Sequence, residues 1–317
     1  MSQLPREFAL IERYFRPLAG PAALGLADDV ALLRPPAGTD LVLSADAMVA
    51  GVHFLPDDPP DLVARKLLRV NLSDLAAKGA APLGYLFTIA APAGTDDAWF
   101  AAFTAGLAQD QKDFGLSLLG GDSVATPGPL SLSLTILGTV APGRAVLRRG
   151  AAAGHGVFVS GTIGDAALGL EVLQGRLADP SGFLAQRYRL PEPRLGLELA
   201  DFAAAAMDIS DGLVQDLGHL CRAGGVAAAI DAAAVPLSAA AAAAGPDWLA
   251  RRLTGGDDYE LLLAVPPEAE SRLAAAASRL GVPLTRIGRF MPGPPEVSVS
   301  APDGAPMIFS RPGWSHF

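Results

Sequence analysis

Cysteine is nearly absent from this chain: Cys221 is the one thiol in 317 residues, which excludes an internal disulfide and suits a reducing compartment. Lysine is almost as scarce. The 24 basic residues are 21 Arg and 3 Lys, set against 24 Asp and 9 Glu, for a net charge of −9. That balance argues against a surface built to neutralise nucleic-acid phosphates. No uncharged run reads as a membrane helix. The longest, from Ser123 to Gly143, carries Pro127, Pro129 and Pro142 and alternates in strand fashion. A basic flank followed by an apolar run is missing at the N-terminus, so no leader is expected, and the chain reads as cytosolic, or cytoplasmic, and free of membrane. Nor is there a G-x-x-x-x-G-K-[ST] segment, which excludes the P-loop solution to phosphate binding. Asp113-Phe114-Gly115 spells the protein-kinase magnesium triplet, but without an H-R-D loop or a V-A-I-K strand it reads as a helix end.

What is present points to a folded α/β protein. Apolar residues make up 50% of the chain and mean hydropathy is +0.33, which excludes disorder. The length suits about two domains at ~150 residues each. Helical spacing is expected over residues 6–18, 58–79 and 96–114, with short apolar runs at 30–33 and 41–44 and strands at 83–91, 116–119 and 130–140. The turn-rich stretch from Ala141 places a boundary between domains 1–142 and 143–317. Beyond it, strands are expected at 157–160, 226–230, 259–265 and 284–290. Helices are expected from Asp165 and over 181–189, 193–206, 212–223 and 267–280, and the alanine run 239–244 fits helix or linker.

Six acidic segments stand out: Gly25–Asp29, Ser44-Ala45-Asp46, Asn71–Asp74, Gly120-Gly121-Asp122, Asp208–Gly212 and Gly255–Glu260. Most fall at strand ends or glycine turns. Each alone also fits a turn or helix cap, as Asp211 before Gly212 does. Asn71, Asp74 and Lys78 share one face of an otherwise apolar helix, a pattern that suits either a solvated face or a ligand set. Taken together, the carboxylates suit a polynuclear Mg²⁺ site, since Mg²⁺ takes carboxylate and water oxygens and shares its shell with phosphates. An acidic chain with three lysines needs metal to hold a nucleotide triphosphate.

The order of these motifs resembles the thiamine-monophosphate kinase family, part of the superfamily of aminoimidazole ribonucleotide synthetase and selenophosphate synthetase. The likeness runs through "GLADDVALL", "LSADAMVAGVHF", "NLSDLAAKGA", "LLGGDS", "GRAVLRRGAAAGHGVFVSGTIGDAALGL", "MDISDGLVQDLGHL" and "GGDDYELLLAVP" to "GWSHF", nearly the whole chain. It implies ATP-dependent phosphorylation of thiamine monophosphate to thiamine diphosphate by in-line transfer. It also implies a two-domain α/β fold whose N-terminal domains pair, in a homodimer, into a barrel-like sheet with the nucleotide in a cleft beside it. By match, several Mg²⁺ ions fall to Asp29, Ser44, Ala45, Asp46, Asp74, Asp122, Asp208 and Asp211. Gly121, Asp122, Arg148 and Ser210 match the ATP positions, with Asp46, Asp122 and Arg148 as the catalytic set, and His53, Asp257 and Trp314 match the thiamine phosphate positions.

Three residues depart from the family pattern. Ala27 replaces a glycine before Asp28, Ala45 stands where Thr is common, and Asp257 where Glu is usual. None removes a metal-binding carboxylate. Among competing functions, selenophosphate synthesis needs a reactive thiol near the N-terminus, and the sole thiol is Cys221. An aminoimidazole ribonucleotide synthetase-like enzyme is disfavoured by the "GVHF" segment and the aromatic C-terminus. A non-catalytic nucleotide-binding regulator is disfavoured by the full set of carboxylates.

Overall fold

The computed structural model describes Pro5–His316. Two compact units form: one from residues up to Leu75 with Ala81–Gly143, the other from Ala76–Ala80 with Arg144 onward.

In the first unit, α1 (Arg6–Leu10) runs on into one π turn, Ile11–Phe15, and one 3-10 turn, Arg16–Leu18. The expected span of 6–18 is helical, but its pitch changes as Tyr14, Phe15 and Leu18 turn into the core. The apolar run at 30–33 forms no strand. Val30 is 55% and Leu32 68% exposed, so these apolar residues lack the sheet neighbours a strand would need.

The first strand is β1 (Asp40–Val49), longer than its apolar start suggests, followed by α2 (Pro60–Lys78) with proline at its first position. Then come β2 (Ala81–Pro92), α3 (Asp97–Phe114), β3 (Ser117–Thr126) and β4 (Ser131–Val140). Asp96 starts α3 by accepting the Trp99 N–H at 2.8 Å. The sheet order is β1-β4-β2-β3, with β2 and β3 parallel and the other pairs antiparallel. β1 and β3 therefore lie at opposite edges. Helix α3 packs on the sheet through Phe103, stacked on Phe87 of β2 at 5.4 Å. Buried Asp110 of α3 receives Arg65 and Arg69 of α2, which locks the helices together. The alternation of β1 leaves Leu41 and Leu43 42% and 60% exposed on the face away from Met48.

The second unit contains β5 (Gly156–Ser160), α4 (Asp165–Leu173), α5 (Phe183–Arg189), β6 (Ala205–Asp208), α6 (Leu213–Gly224), β7 (Ala227–Asp231) and α7 (Ala239–Ala244). It continues with α8 (Leu249–Thr254), β8 (Leu261–Val265), α9 (Glu270–Arg279), β9 (Leu284–Met291), β10 (Val297–Ser300) and β11 (Pro306–Met307). The sheet order is β11-β10-β7-β9-β5-β8-β6. Leu213, Leu217, Leu220 and Cys221 of α6 pack with Ile287 and Phe290 of β9. Leu273 and Ala277 of α9 join Phe158, Leu261 and Leu263 in a second cluster. Burial pushes the Cys221 thiol up to about 11.

The helix expected at 193–206 is not there. Residues 191–198 are irregular, a 3-10 turn spans Leu199–Asp201, and Ala205–Asp208 is the edge strand β6. Leu195, Leu197 and Leu199 fall at a period of two, and the alanines are drawn into the sheet by burial against β8. Strands β10 and β11 were not expected from the sequence. Among the described residues, no helix is long and apolar enough to cross a membrane.

Candidate functional site

The acidic residues of the first unit fall into two groups. On β1, Ser44 and Asp46 are two residues apart and share a face, while Ala45 between them is exposed on the other. The Ser44 hydroxyl donates to Asp74 Oδ2 on α2. Asn71, one turn before Asp74, is fully buried, so this helix face is not simply solvated. Its Nδ2 donates to the Leu67 carbonyl at 2.9 Å, and among the described residues its Oδ1 has no hydrogen-bond partner.

The second group lies at the far edge, on β3. Gly120, Gly121 and Asp122 sit within the strand, not in a glycine turn as their composition suggests. Gly121 is required by close approach: a Cβ there would lie 1.7 Å from the Phe87 carbonyl oxygen. Asp122 accepts the Ser123 N–H at 2.8 Å. It lines a cavity of about 890 Å³ together with Asp28, Asp29, Thr88 and Thr135. His53 lies in the turn after β1, where its Nδ1 accepts the Val49 N–H at 3.0 Å, which places its ring proton on Nε2. The backbone carbonyl of His53 accepts from the buried Lys66 Nζ at 3.0 Å.

In the second unit, Asp208 ends β6 and is nearly buried, and the loop after it is held by Asp216 of α6. Oδ2 of Asp216 accepts the N–H groups of Ser210, Asp211 and Gly212 at 3.0, 3.0 and 3.1 Å. Burial, with Asp211 and Asp208 nearby, pushes its carboxyl up to about 7, against the pull of those N–H bonds. Asp211, Asp216 and His219 bring one ligand atom each within 4.8 Å of one another. Burial holds the His219 imidazole below its ordinary value, helped by Arg222 and Arg148. Arg148 itself is exposed on the irregular stretch before β5.

The Gly255–Glu260 segment docks onto the same loop by backbone pairing. Asp257 N donates to Ser210 O at 2.9 Å, Tyr259 N to Ile209 O at 2.8 Å, and Ile209 N to Glu260 O at 2.9 Å. Asp257 and Tyr259 hold positive φ angles of 74° and 51°, strain kept only where surroundings over-determine the backbone. The surroundings are plain. Buried Asp258 accepts the N–H groups of Gly164 and Ala166 at 2.7 and 3.2 Å, and burial pushes its carboxyl well above the usual range. Buried Glu260 receives Arg194 twice at 2.7 Å, Arg187 at 3.0 Å and the Ser160 hydroxyl at 2.6 Å. The tail closes on this loop as well: Trp314 N donates to the Asp211 carbonyl at 2.9 Å, and the indole is 52% exposed.

Ser210, Asp211, Asp257 and Trp314 are thus brought together in the second unit, and Ser44 and Asp74 in the first. Asp122 lies away from Ser44 and Asp46, three strand spacings across the sheet, with β4 and β2 between them. Sequence reasoning passed over Asp216 and His219, and singled out the segment holding Asp258 and Glu260 without giving those two a structural role. The three-residue spacing of Asp216 and His219 on a helix was a usable signal. Nothing in the sequence shows that Glu260 gathers two arginines.

Comparison with known proteins matches residues 27–140 to the N-terminal domain, and 152–299 to the C-terminal domain, of AIR synthase related proteins. The chain is 46% identical to the thiamine-monophosphate kinase of Caulobacter vibrioides over 98% of its own length and 91% of that protein's. It is 43% identical to the enzyme of that name from Escherichia coli K12, over 98% of each. Among solved structures it superposes on thiamine-monophosphate kinase from Stenotrophomonas maltophilia with a TM-score of 0.82, at 39% identity over 92% of this chain and 94% of that one. It matches AaThiL complexed with AMPPCP and TMP with a TM-score of 0.77, at 31% identity over 100% and 99%.

Proposed function

The chain belongs to the thiamine-monophosphate kinase family, within the AIR synthase related proteins, and from that membership we propose how its own residues carry the reaction. It is an ATP-dependent kinase that phosphorylates thiamine monophosphate to thiamine diphosphate. The near full-length match to kinases of that name, one of them solved with a nucleotide analogue and TMP, carries the conclusion.

The acceptor is a phosphate oxygen, already anionic near neutral pH, so no strong general base is needed. The obstacle is repulsion between two anions. We assign Asp29, Ser44, Asp46, Asp74, Asp122, Asp208 and Asp211, with the carbonyl of Ala45, as holders of several Mg²⁺ ions. An oxygen-only donor set, a serine hydroxyl meeting a carboxylate, and the orphaned Asn71 Oδ1 suit a hard cation better than a soft one. Bound there, Mg²⁺ would offset phosphate charge and orient donor and acceptor oxygens. Arg148 adds an exposed positive charge toward ATP, with Gly121 and with Ser210 through its hydroxyl, since the Ser210 backbone is already held by Asp216 and Asp257. His53, whose Nε2 carries its ring proton, donates toward the acceptor, with Asp257 and Trp314.

A homodimer is supported by the sheet of the first unit. Its metal-side residues are split between opposite edges, roughly 14 Å apart at ~4.8 Å per strand. Both edge strands run 10 residues and β1 exposes Leu41 and Leu43 beside them. Pairing β1 of one copy with β3 of another would close the sheet into a barrel and bring the split halves together. ADP release measured with thiamine monophosphate, and again without acceptor, tests the whole reading. Acceptor-independent release, or none, would defeat it.

A further inference from the structure

We propose that Gln215 is a positioning residue that couples Asp211, on the metal side, to Trp314, on the acceptor side. The inference rests on the roles assigned above to those two residues. Gln215 follows Asp211 by one helical turn on α6, and its Nε2 spends both hydrogens on the pair. One goes to Asp211 Oδ2 at 3.0 Å, the other to the Trp314 carbonyl at 2.6 Å. Trp314 N returns to the Asp211 carbonyl at 2.9 Å, so a ring of hydrogen bonds ties loop and tail. Packing closes the same contact. A Cβ on Gly313 would lie 2.5 Å from Gln215 Cβ, so the tail passes flush over this side chain only because residue 313 is glycine.

The arrangement has a physical consequence. A half-exposed indole on an irregular segment that nothing ties down must be ordered each time it meets a ligand. The amide bridge prepays that ordering, and does so from the carboxylate assigned above to a cation. A ligand that fixes Asp211 therefore also fixes Trp314, and the two affinities rise together.

The test uses the intact protein with Gln215→Met, which keeps length and loses both donors, and Gly313→Ala, which displaces the tail from the other side. Titration calorimetry with thiamine monophosphate, with and without Mg²⁺ and a non-hydrolysable ATP analogue, gives the coupling. Hydrogen exchange of the Trp314 amide reads the latch directly. Each variant should weaken acceptor binding about fivefold in the presence of the analogue, the worth of one neutral hydrogen bond. Exchange should quicken, melting temperature should hold, and the double variant should be no worse than either single one. Unchanged exchange, or quickened exchange with acceptor affinity intact, overturns the role of Gln215. Trp314→Ala separates the two layers. If it weakens acceptor binding while Gln215→Met does not, only the coupling fails; if it has no effect, the placement of Trp314 fails and takes the coupling with it.

Discussion

Ser44 on β1 and Asp74 on α2 are joined side chain to side chain, the hydroxyl donating to Oδ2. The bond fixes one carboxylate oxygen of Asp74 toward the strand that carries Asp46. Asp74→Asn or Asp46→Asn should therefore lower turnover by ~10²-fold or more at saturating Mg²⁺, since misplacing one metal misplaces the reacting oxygens. Ser44→Ala, which removes an orienting hydroxyl and leaves the charge, should lose ~10-fold or less. Steady-state ADP release with circular dichroism as the folding control checks all three. Activity of Asp46→Asn within a few-fold of the parent would remove that residue from the metal set.

Transfer should be direct. The acceptor brings its own nucleophile, and the one thiol of the chain is not poised for attack: Cys221 is buried and its thiol raised to about 11. Protein incubated with γ-labelled ATP alone should stay unlabelled. Label on His53 or an aspartate that forms and discharges at the rate of turnover would establish a two-step path.

Asp257 is held at φ 74° with its N–H on the Ser210 carbonyl and buried Asp258 anchored beside it, so the backbone should survive changes of side chain there. Asp257→Glu should be tolerated, and Asp257→Ala should raise the KM for thiamine monophosphate more than that for ATP. Equal effects on the two KM values would take the residue out of the acceptor pocket.

Trp314 offers its face while its backbone is tied to Asp211. A thiazolium over an indole is worth ~0.5–2 kcal/mol, a few-fold to about thirtyfold in affinity. Trp314→Ala should raise the acceptor KM within that range with little change in melting temperature, and Trp314→Phe should recover part of it. A large fall in melting temperature with an unchanged KM would assign the ring to packing.

Asp258 gives a pH signature. Its carboxyl is raised in the folded protein, first by burial and then by Asp165, against Arg187 and two backbone N–H bonds. The folded state therefore binds a proton more tightly than the unfolded one, and stability falls as pH rises from about 4 toward the folded value. Asp258→Asn keeps an acceptor for Gly164 and Ala166 and should flatten that slope in urea melts between pH 4 and 7. An unchanged slope would show that another group carries it.

The main helices and strands were legible because their patterns are local: Asp96 and Gly115 bracket α3, and β4 alternates cleanly. Residues 193–206 misled because alanine is a strong helix former, whereas β6 exists only through β8, 53 residues further on from Asp208 to Leu261 in the paired register. The carboxylates could be named one by one from the motifs. Their grouping could not, because it depends on sheet order: Asp46 and Asp122, assigned to one metal set, stand on strands that the chain places at opposite edges. The Glu260 cluster was hidden for the same reason, its arginines arriving from residues 187 and 194.

Cys221 opens a practical route. Fully buried and with a thiol raised to about 11, it should ignore maleimide reagents at neutral pH, so the native chain is silent to thiol chemistry. Any cysteine placed on the surface then becomes a unique attachment point without first deleting a core residue. A probe at the exposed Arg311 would ride on the segment that leads into Trp314 and report by fluorescence or spin label how the tail responds as each ligand arrives.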